Sequence, residues 1–290
     1  METMESLGRK IKTSHDLLSV VKTMKSLAAV NIRQYEAAAE AMDGYIEVIE
    51  KGWQVFFKNR PLLGRRKKVS QSVFLVIGSD QGMCGQFNEN IIRYALAEAG
   101  SAGLTGFDKI YWSAGDRLRA GLVEEVPVQE HYGLPSSPGA IGDLMYEIIE
   151  KFADLHDSQG IETFHLFYNR LEKGATYDST TERVLPLAPQ YGDEKRRESW
   201  PNRCLPMIGV ESSVFFEQLF QQHIFGMIFK AFSQSLASEN AARLAAMQAA
   251  EKNILEMEER LQGRFRETRQ NTITAELLDI ISGFEALSPA

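Results

Sequence analysis

The run ASENAARLAAMQAAEKNILEMEERL, Ala237–Leu261, decides how this chain can fold. Its first part, Ala237–Ala250, is half alanine, and the whole run lacks glycine and proline. Further on, Met247, Ala250, Ile254, Met257 and Leu261 step by three and four. That spacing places apolar side chains along one stripe of a helix. The run is the middle of a longer one. From Glu211 to Leu287 there is no proline, and glycine occurs only at Gly226, Gly263 and Gly283. After a shift, Ile273, Leu277, Ile280, Phe284 and Leu287 take the pattern up again. A helix of that length extends on the order of 110 Å, whereas a compact chain of this size is roughly 40 Å across. The helix is therefore expected to project and to need a partner.

The other end of the chain supplies one. No proline occurs from Leu7 to Phe57. Ala28, Ile32, Tyr35, Ala39, Met42, Ile46, Ile49, Trp53 and Phe56 alternate steps of four and three, a heptad seam. The register runs back through Val21, Leu18, Ile11 and Leu7, skipping Ser14 and Lys25. Pro61 and Gly64 then end the helix. Two long helices from opposite ends of one chain predict an antiparallel coiled coil. The alanines let two helices sit close or fit a tight sleeve, and alanine is also simply the strongest helix former.

Between the ends the pattern changes. SVFLVIG (72–78), KIYWSAG (109–115) and IETFHLFYN (161–169) read as strands, and FNENIIRYALAEAG, DRLRAGLV and AIGDLMYEIIEKFADLH read as helices. Such alternation predicts a small parallel sheet with helices on its faces. From Lys173 to Pro206 the chain is polar and contains proline, and GDEKRRESWPNR (192–203) is expected to be an exposed loop. The fold class is thus α/β, a long antiparallel coiled coil of N- and C-terminal helices plus a Rossmann-like middle domain. The expected segments are 1–60, 70–208 and 211–290.

The 290 residues carry a net charge of −7, which argues against general nucleic-acid binding. No apolar run is long enough to span a membrane, and METMESLGRKIK lacks the apolar segment of a signal peptide. Two distant cysteines, Cys84 and Cys204, favour free thiols in a reducing compartment, with a Cys84–Cys204 disulfide as the alternative. The P-loop, H-E-x-x-H, G-x-S-x-G and C-x-x-C patterns are all missing. His15, His131, His156, His165 and His223 show no metal-ligand spacing, so no metal site is expected. SVVK (19–22) matches S-x-x-K but lies inside the heptad. The basic run GRRKK (64–68) reads as a solvated linker or an anchor for an acidic or membrane-adjacent partner.

GSDQGMCGQFN (78–88) sits between a strand and a helix, where phosphates often bind. Its glycines, Gly78, Gly82 and Gly85, do not match G-x-G-x-x-G, and no acidic residue closes the next strand. The other reading is a tight crossing that needs glycine, with Asn88 or Ser79 capping the helix. No cofactor is expected.

Three separated segments carry a resemblance. LGRKIKTSHDLLSVVKTMKSLAAVNIR, SDQGMCGQFN, and ASENAARLAAMQAAEKN with RQNTITAELLDIISGFEAL resemble, in this order, motifs of the gamma subunit of F-type ATP synthases. Gln81, Gln86 and Asn31 depart from the family's usual arginine, glycine and lysine. The resemblance implies a non-catalytic central-stalk rotor subunit, coupling ion flow through a membrane c-ring to ATP synthesis or hydrolysis at beta subunits. Its implied partners are three alpha and three beta subunits, an epsilon subunit and the c-ring. Its implied place is peripheral, on the cytoplasmic face of the cell (inner) membrane. Matching positions imply contacts with the alpha/beta ring at Met24, Arg243, Arg269, Gln270, Thr274 and Glu276. Two other readings stand beside it: a nucleotide- or metabolite-binding enzyme built on the middle sheet, and a passive coiled-coil adaptor.

Overall fold

The computed structural model describes residues 3–59, 71–101, 109–161, 163–172, 176–188 and 190–287. The basic run at 64–68 lies outside them. Helix α1 (Met4–Asn59) opens the chain and α6 (Ser212–Leu287) closes it. Between them come β1 (Ser72–Ile77), α2 (Phe87–Ser101), β2 (Lys109–Ala114), α3 (Asp116–Glu125), β3 (Val128–Tyr132), α4 (Ile141–Gln159), β4 (Thr163–Leu171), β5 (Tyr177–Leu185) and α5 (Tyr191–Arg197). Two compact units result, one of Met1–Ala28 with Leu244–Ala290, the other of Ala29–Arg243.

The first unit is a helix pair. Along α1, Leu7, Ser14, Leu18, Val21 and Ala28 are buried, and Ile11 and Lys25 are half-buried. Both positions that apolarity skips thus lie in the seam. Lys25 reaches its partner helix through its ammonium group, 2.5 Å from Glu251. On α6 the seam runs Met247, Ala250, Ile254, Glu258, Leu261, Phe265 and Thr268. Met257, expected in it, is 38% exposed, because the seam slot falls on the next residue. The resumed pattern lies on an exposed stretch, with the side chains of Phe284 and Leu287 outside the described ones. Ile273, Leu277 and Ile280 are 47%, 54% and 64% exposed. Counting equally from Lys25 back to Met4 and from Glu251 forward reaches Thr272. Past that point α6 has no α1 beside it.

In the second unit the rest of both helices packs on a sheet. Asn31 faces Asn240 (3.4 Å), Asp43 pairs with Lys230 (2.6 Å), and the Tyr45 hydroxyl meets Gln222. The partner number falls as the α1 number rises, so the helices are antiparallel. Sheet order is β3-β2-β1-β4-β5, parallel except for β5, which pairs antiparallel to β4. One sheet face carries Leu75, Trp112, Phe164 and Leu166 against Met145 and Ile148 of α4 and Ile228 and Phe232 of α6. The opposite face sets Phe74, Val76 and Phe167 against Ile91 of α2 and Leu118 and Leu122 of α3.

Strands β3 and β5 were not expected from sequence. Both are sheet edges, half-exposed along most of their length, so VQEHY and YDSTTERVL lack the apolar signal of central strands. The loop expected at 192–203 is likewise corrected over its first part. There α5 clasps α1: the Tyr191 hydroxyl donates to Glu50 (2.8 Å), Lys195 pairs with the same carboxylate (2.8 Å), and Arg196 Nε donates to the Phe57 carbonyl (3.1 Å). Trp53 lies beneath, fully buried among Phe56, Phe57, Tyr191, Phe216 and His223.

His165, on β4 beside Phe74 and Phe167, has its pKa pushed down to about 4, first by burial and then by the nearby Arg183. A lowered histidine binds fewer protons folded than unfolded. Its contribution to stability is therefore present above the usual value of 6.5 and is lost as pH falls toward about 4. His165→Phe is expected to flatten the stability curve between those limits, read by denaturant unfolding across pH. A curve as steep as that of the native chain would refute the assignment.

Candidate functional site

The turn after β1 is closed by its own side chains. The Asn88 carboxamide turns back to Ser79, accepting from its backbone N–H (3.0 Å) and donating to its hydroxyl (2.8 Å). Asn88 therefore holds the turn and does not cap α2. The Ser79 carbonyl accepts from the N–H groups of Arg117 and Leu118, so the turn satisfies the first turn of α3. Asp80 accepts from the N–H groups of Asp116 (3.0 Å) and Leu134 (3.2 Å). The Ser79 N–H, the Ser79 hydroxyl and the Asn88 carboxamide are thus engaged within the turn, and the Asp80 carboxylate faces the N–H groups of α3 and Leu134. Gly115 has φ +112, and a Cβ there would stand 2.7 Å from the Ser79 carbonyl oxygen. Of the three glycines expected to allow a tight crossing, Gly78 does so, since a Cβ there would stand 2.5 Å from Leu118, whereas Gly82 and Gly85 have open space around them and Gly85 takes φ +64.

In doubly wound sheets, ligands bind outside the carboxyl ends of the strands, where strand order reverses. Here that reversal lies at β1, between β2 and β4. Helix α6 fills the place. Ser238 donates to the Asn169 carbonyl at the end of β4 (2.9 Å). Ala242 packs with Cys84 and Phe87 of the turn. Asn169 Nδ2 donates to the Phe87 carbonyl (3.1 Å), joining β4 to the start of α2. Cys84 is a buried free thiol and Cys204 an exposed one.

At the rim of this joint, Arg243 pairs with Glu239 at 2.5 Å and also donates to the Gln81 carbonyl (3.4 Å). Their side chains are only 13% and 7% exposed. Burial raises the Glu239 pKa above the usual carboxylate range, Arg243 opposes the rise, and Asp80 adds to it. Sequence reading missed this latch. Its signal was present as the i, i+4 spacing of acid and base in SENAAR.

Ser113, His131 and Asp116 also form a chain of contacts, 3.0 and 2.8 Å long. The order resembles a hydrolase triad. Ser113 is fully buried, however, and cannot meet a substrate. The chain of contacts ties β2, β3 and α3 together.

The expected ring-contact positions fall in three places. Met24 is half-buried on α1. Arg243 is turned into the latch. Arg269, Gln270, Thr274 and Glu276 are all exposed on the stretch of α6 around and beyond the end of α1, and Thr274 donates back to the Gln270 carbonyl (2.9 Å). Arg269 and Glu276 are two turns apart on one side, with Gln270 and Thr274 on another.

A family model described as ATP synthase matches residues 3–287. Among curated proteins, the ATP synthase gamma chain of Geotalea uraniireducens is 26% identical over 296 residues, covering 99% of each chain. That of Chlorobaculum tepidum is 27% identical over 300 residues, again covering 99% of each. Among solved structures, a chain of the Euglena gracilis mitochondrial ATP synthase rotor shares the fold with a TM-score of 0.66 at 16% identity, covering 93% of this chain and 98% of that one. A chain of the Tetrahymena thermophila mitochondrial ATP synthase central stalk and c-ring gives 0.57 at 17%, covering 80% and 99%. The match runs from the start of α1 to the end of α6 and takes in the latched turn, and the chain belongs to the gamma-chain family of ATP synthases.

Proposed function

We propose that this chain is the central-stalk rotor subunit of an F-type ATP synthase. It is non-catalytic and couples ion flow through a membrane c-ring to ATP synthesis or hydrolysis at beta subunits. Its helix pair sits in a ring of three alpha and three beta subunits. Its sheet domain forms the foot, joined to an epsilon subunit and the c-ring, on the cytoplasmic face of the cell (inner) membrane. No helix among the described residues is long and apolar enough to cross a membrane.

The observation that carries this reading is the end of α6. Beyond Thr272 it presents Ile273, Leu277, Leu278, Ile280 and Ile281, all at least 47% exposed. An apolar stretch of helix that stays exposed among the described residues suits an enclosing sleeve. We place the ring contacts at Met24, Arg269, Gln270, Thr274 and Glu276. Arg243 acts indirectly, by holding the turn against α6.

A shaft without three-fold symmetry offers a different face to each of three equivalent subunits. Only differential contact energy shifts a subunit between open and closed states, and a full reversal takes about 5.5 kcal/mol. Turning the shaft passes that bias from site to site. The coupling is reciprocal for binding, so nucleotide binding biases the shaft angle in return.

The test is to tag the chain on an exposed loop of the sheet domain, purify it from membranes of its source and assay ATP hydrolysis. P-loop subunits in excess over this chain, with activity lost when residues 271–290 are removed, are the expected result. A chain recovered alone, or with partners lacking a P-loop subunit, would overturn the proposal.

A further inference from the structure

Strand β5 is an outer strand nine residues long, without proline. Its register with β4 shifts only near one end, between Phe164 and His165. Among the described residues, β4 is the only strand that pairs with it, and no other backbone hydrogen bond involves it. Edge strands are ordinarily kept short, bulged or covered, because a free row of N–H and C=O groups recruits another strand. The opposite edge follows that rule: β3 has five residues and a register shift against β2. Strand β5 does not.

Beside this edge, between α2 and the β4–β5 hairpin, lies an open groove of about 600 Å³. It is lined by Asn90 and Arg93 of α2, Arg170 of β4, and Asp178, Ser179 and Thr180 of β5. Both arginines are exposed, and neither forms an ion pair among the described residues. Asp178 is opposite Arg170 in the strand register, yet the two make no salt bridge. In a chain of net charge −7, two exposed guanidinium groups thus stand next to this strand edge without a carboxylate partner among the described residues.

We propose that the free edge of β5 and this basic groove receive an extended, acidic segment of a partner protein. The segment adds to β5 as a further strand, and its Asp or Glu side chains meet Arg93 and Arg170. Main-chain hydrogen bonds supply strand addition with its affinity, and side-chain pockets supply its specificity. A guanidinium fork matches a carboxylate in two parallel hydrogen bonds, so arginines beside the edge select acidic side chains and fix their register. The Thr180 hydroxyl and the Asn90 carboxamide, which reaches the Tyr177 hydroxyl at 3.3 Å, add polar partners along the same path. The inference stands on the sheet and its groove, and does not need the rotary reading.

The test uses the full chain in its native assembly. A benzoylphenylalanine replaces Asp178, the assembly is purified from membranes and irradiated, and the crosslinked peptide is mapped. The expected product is one segment with Asp or Glu near the crosslinked residue. Its yield should fall about tenfold when Arg93→Glu and Arg170→Glu are combined, and it should return when the partner's acids become lysines. Both arginines are exposed, so an unchanged unfolding midpoint of the double variant separates lost docking from lost folding. Independently, amide exchange across Tyr177–Leu185 should slow at least tenfold in the assembly relative to the isolated chain. Crosslinks to an uncharged or helical segment, a yield unmoved by the arginine reversals, or β5 amides exchanging equally fast in both states would each overturn the proposal. Subunit composition is read separately on the same sample, so failure of the docking surface is distinguishable from failure of the rotor assignment.

Discussion

Arg243→Ala is expected to destabilise the chain by about 3–5 kcal/mol, the cost of leaving one member of a buried ion pair alone. Glu239 would then lack its counter-charge in a site where its side chain is 7% exposed, with Asp80 as a like charge nearby. The signature is the pH dependence. Glu239 already has a raised pKa, so the folded chain binds its proton more tightly than the unfolded chain does. Its contribution to stability is full at low pH and declines as pH rises from the usual carboxylate value through the raised one. Removing Arg243 removes the influence that opposes the rise and carries the decline to higher pH. Denaturant unfolding of the variant and the native chain, taken as a difference curve over pH, should show a loss that grows with pH. Adding Glu239→Gln should recover most of it. A loss under about 1 kcal/mol, small beside the cost of an unpaired buried charge, or one that shrinks with rising pH, would show that the pair does not hold the joint.

Trp53→Ala is expected to cost about 3–5 kcal/mol, the range for deleting a buried large aromatic side chain. Trp53 is fully buried, stacks on Phe57 at 5.6 Å, and meets Tyr191 of α5 edge-on at 6.3 Å. Its indole N–H has no hydrogen-bond partner among the described residues. Trp53→Phe therefore removes an unsatisfied donor along with some volume, and should cost less than half as much. Because α5 rests on this ring, hydrogen exchange in Tyr191–Arg197 should quicken in Trp53→Ala before the sheet is affected. Unchanged exchange in α5, with an unfolding midpoint near that of the native chain, would mean that the clasp holds without the ring.

The α1 seam was legible in sequence because its constraint is local and periodic. Positions from Leu7 to Phe56 in the predicted register are buried or half-buried. At Ser14, buried with its hydroxyl unpartnered among the described residues, the register continues where residue type gave no hint. At Lys25 the charge finds Glu251 at the seam's edge. At the end of α6 the same kind of signal marks an apolar stripe that is exposed at Ile273, Leu277 and Ile280. Periodicity at Ile273, Leu277 and Ile280 says that a stripe exists, and cannot say which molecule lies against it. The edge strands escaped because a strand with one neighbour needs little apolar surface. The α5 clasp escaped because its holding groups, Tyr191 and Lys195, bind a carboxylate far away in sequence, on α1. Of the residues set out for the ring, four lie together on exposed α6. The inward turn of Arg243 depends on Glu239 and Gln81, and only the folded turn brings Gln81 within reach.

The crevice where strand order reverses has a last consequence, concerning the rotational phase of α6 about its own axis. Successive residues of a helix point about 100° apart. Ser238 and Ala242 share one face and engage the end of β4 and the glycine-rich turn together. Sliding α6 by one position would swing that face off the sheet and leave the Asn169 carbonyl and the Cys84–Phe87 surface without their counterparts. The crevice that selects a ligand in other doubly wound sheets here selects an azimuth. It works as an index mark, fixing which longitude of the helix is which before any other molecule touches it.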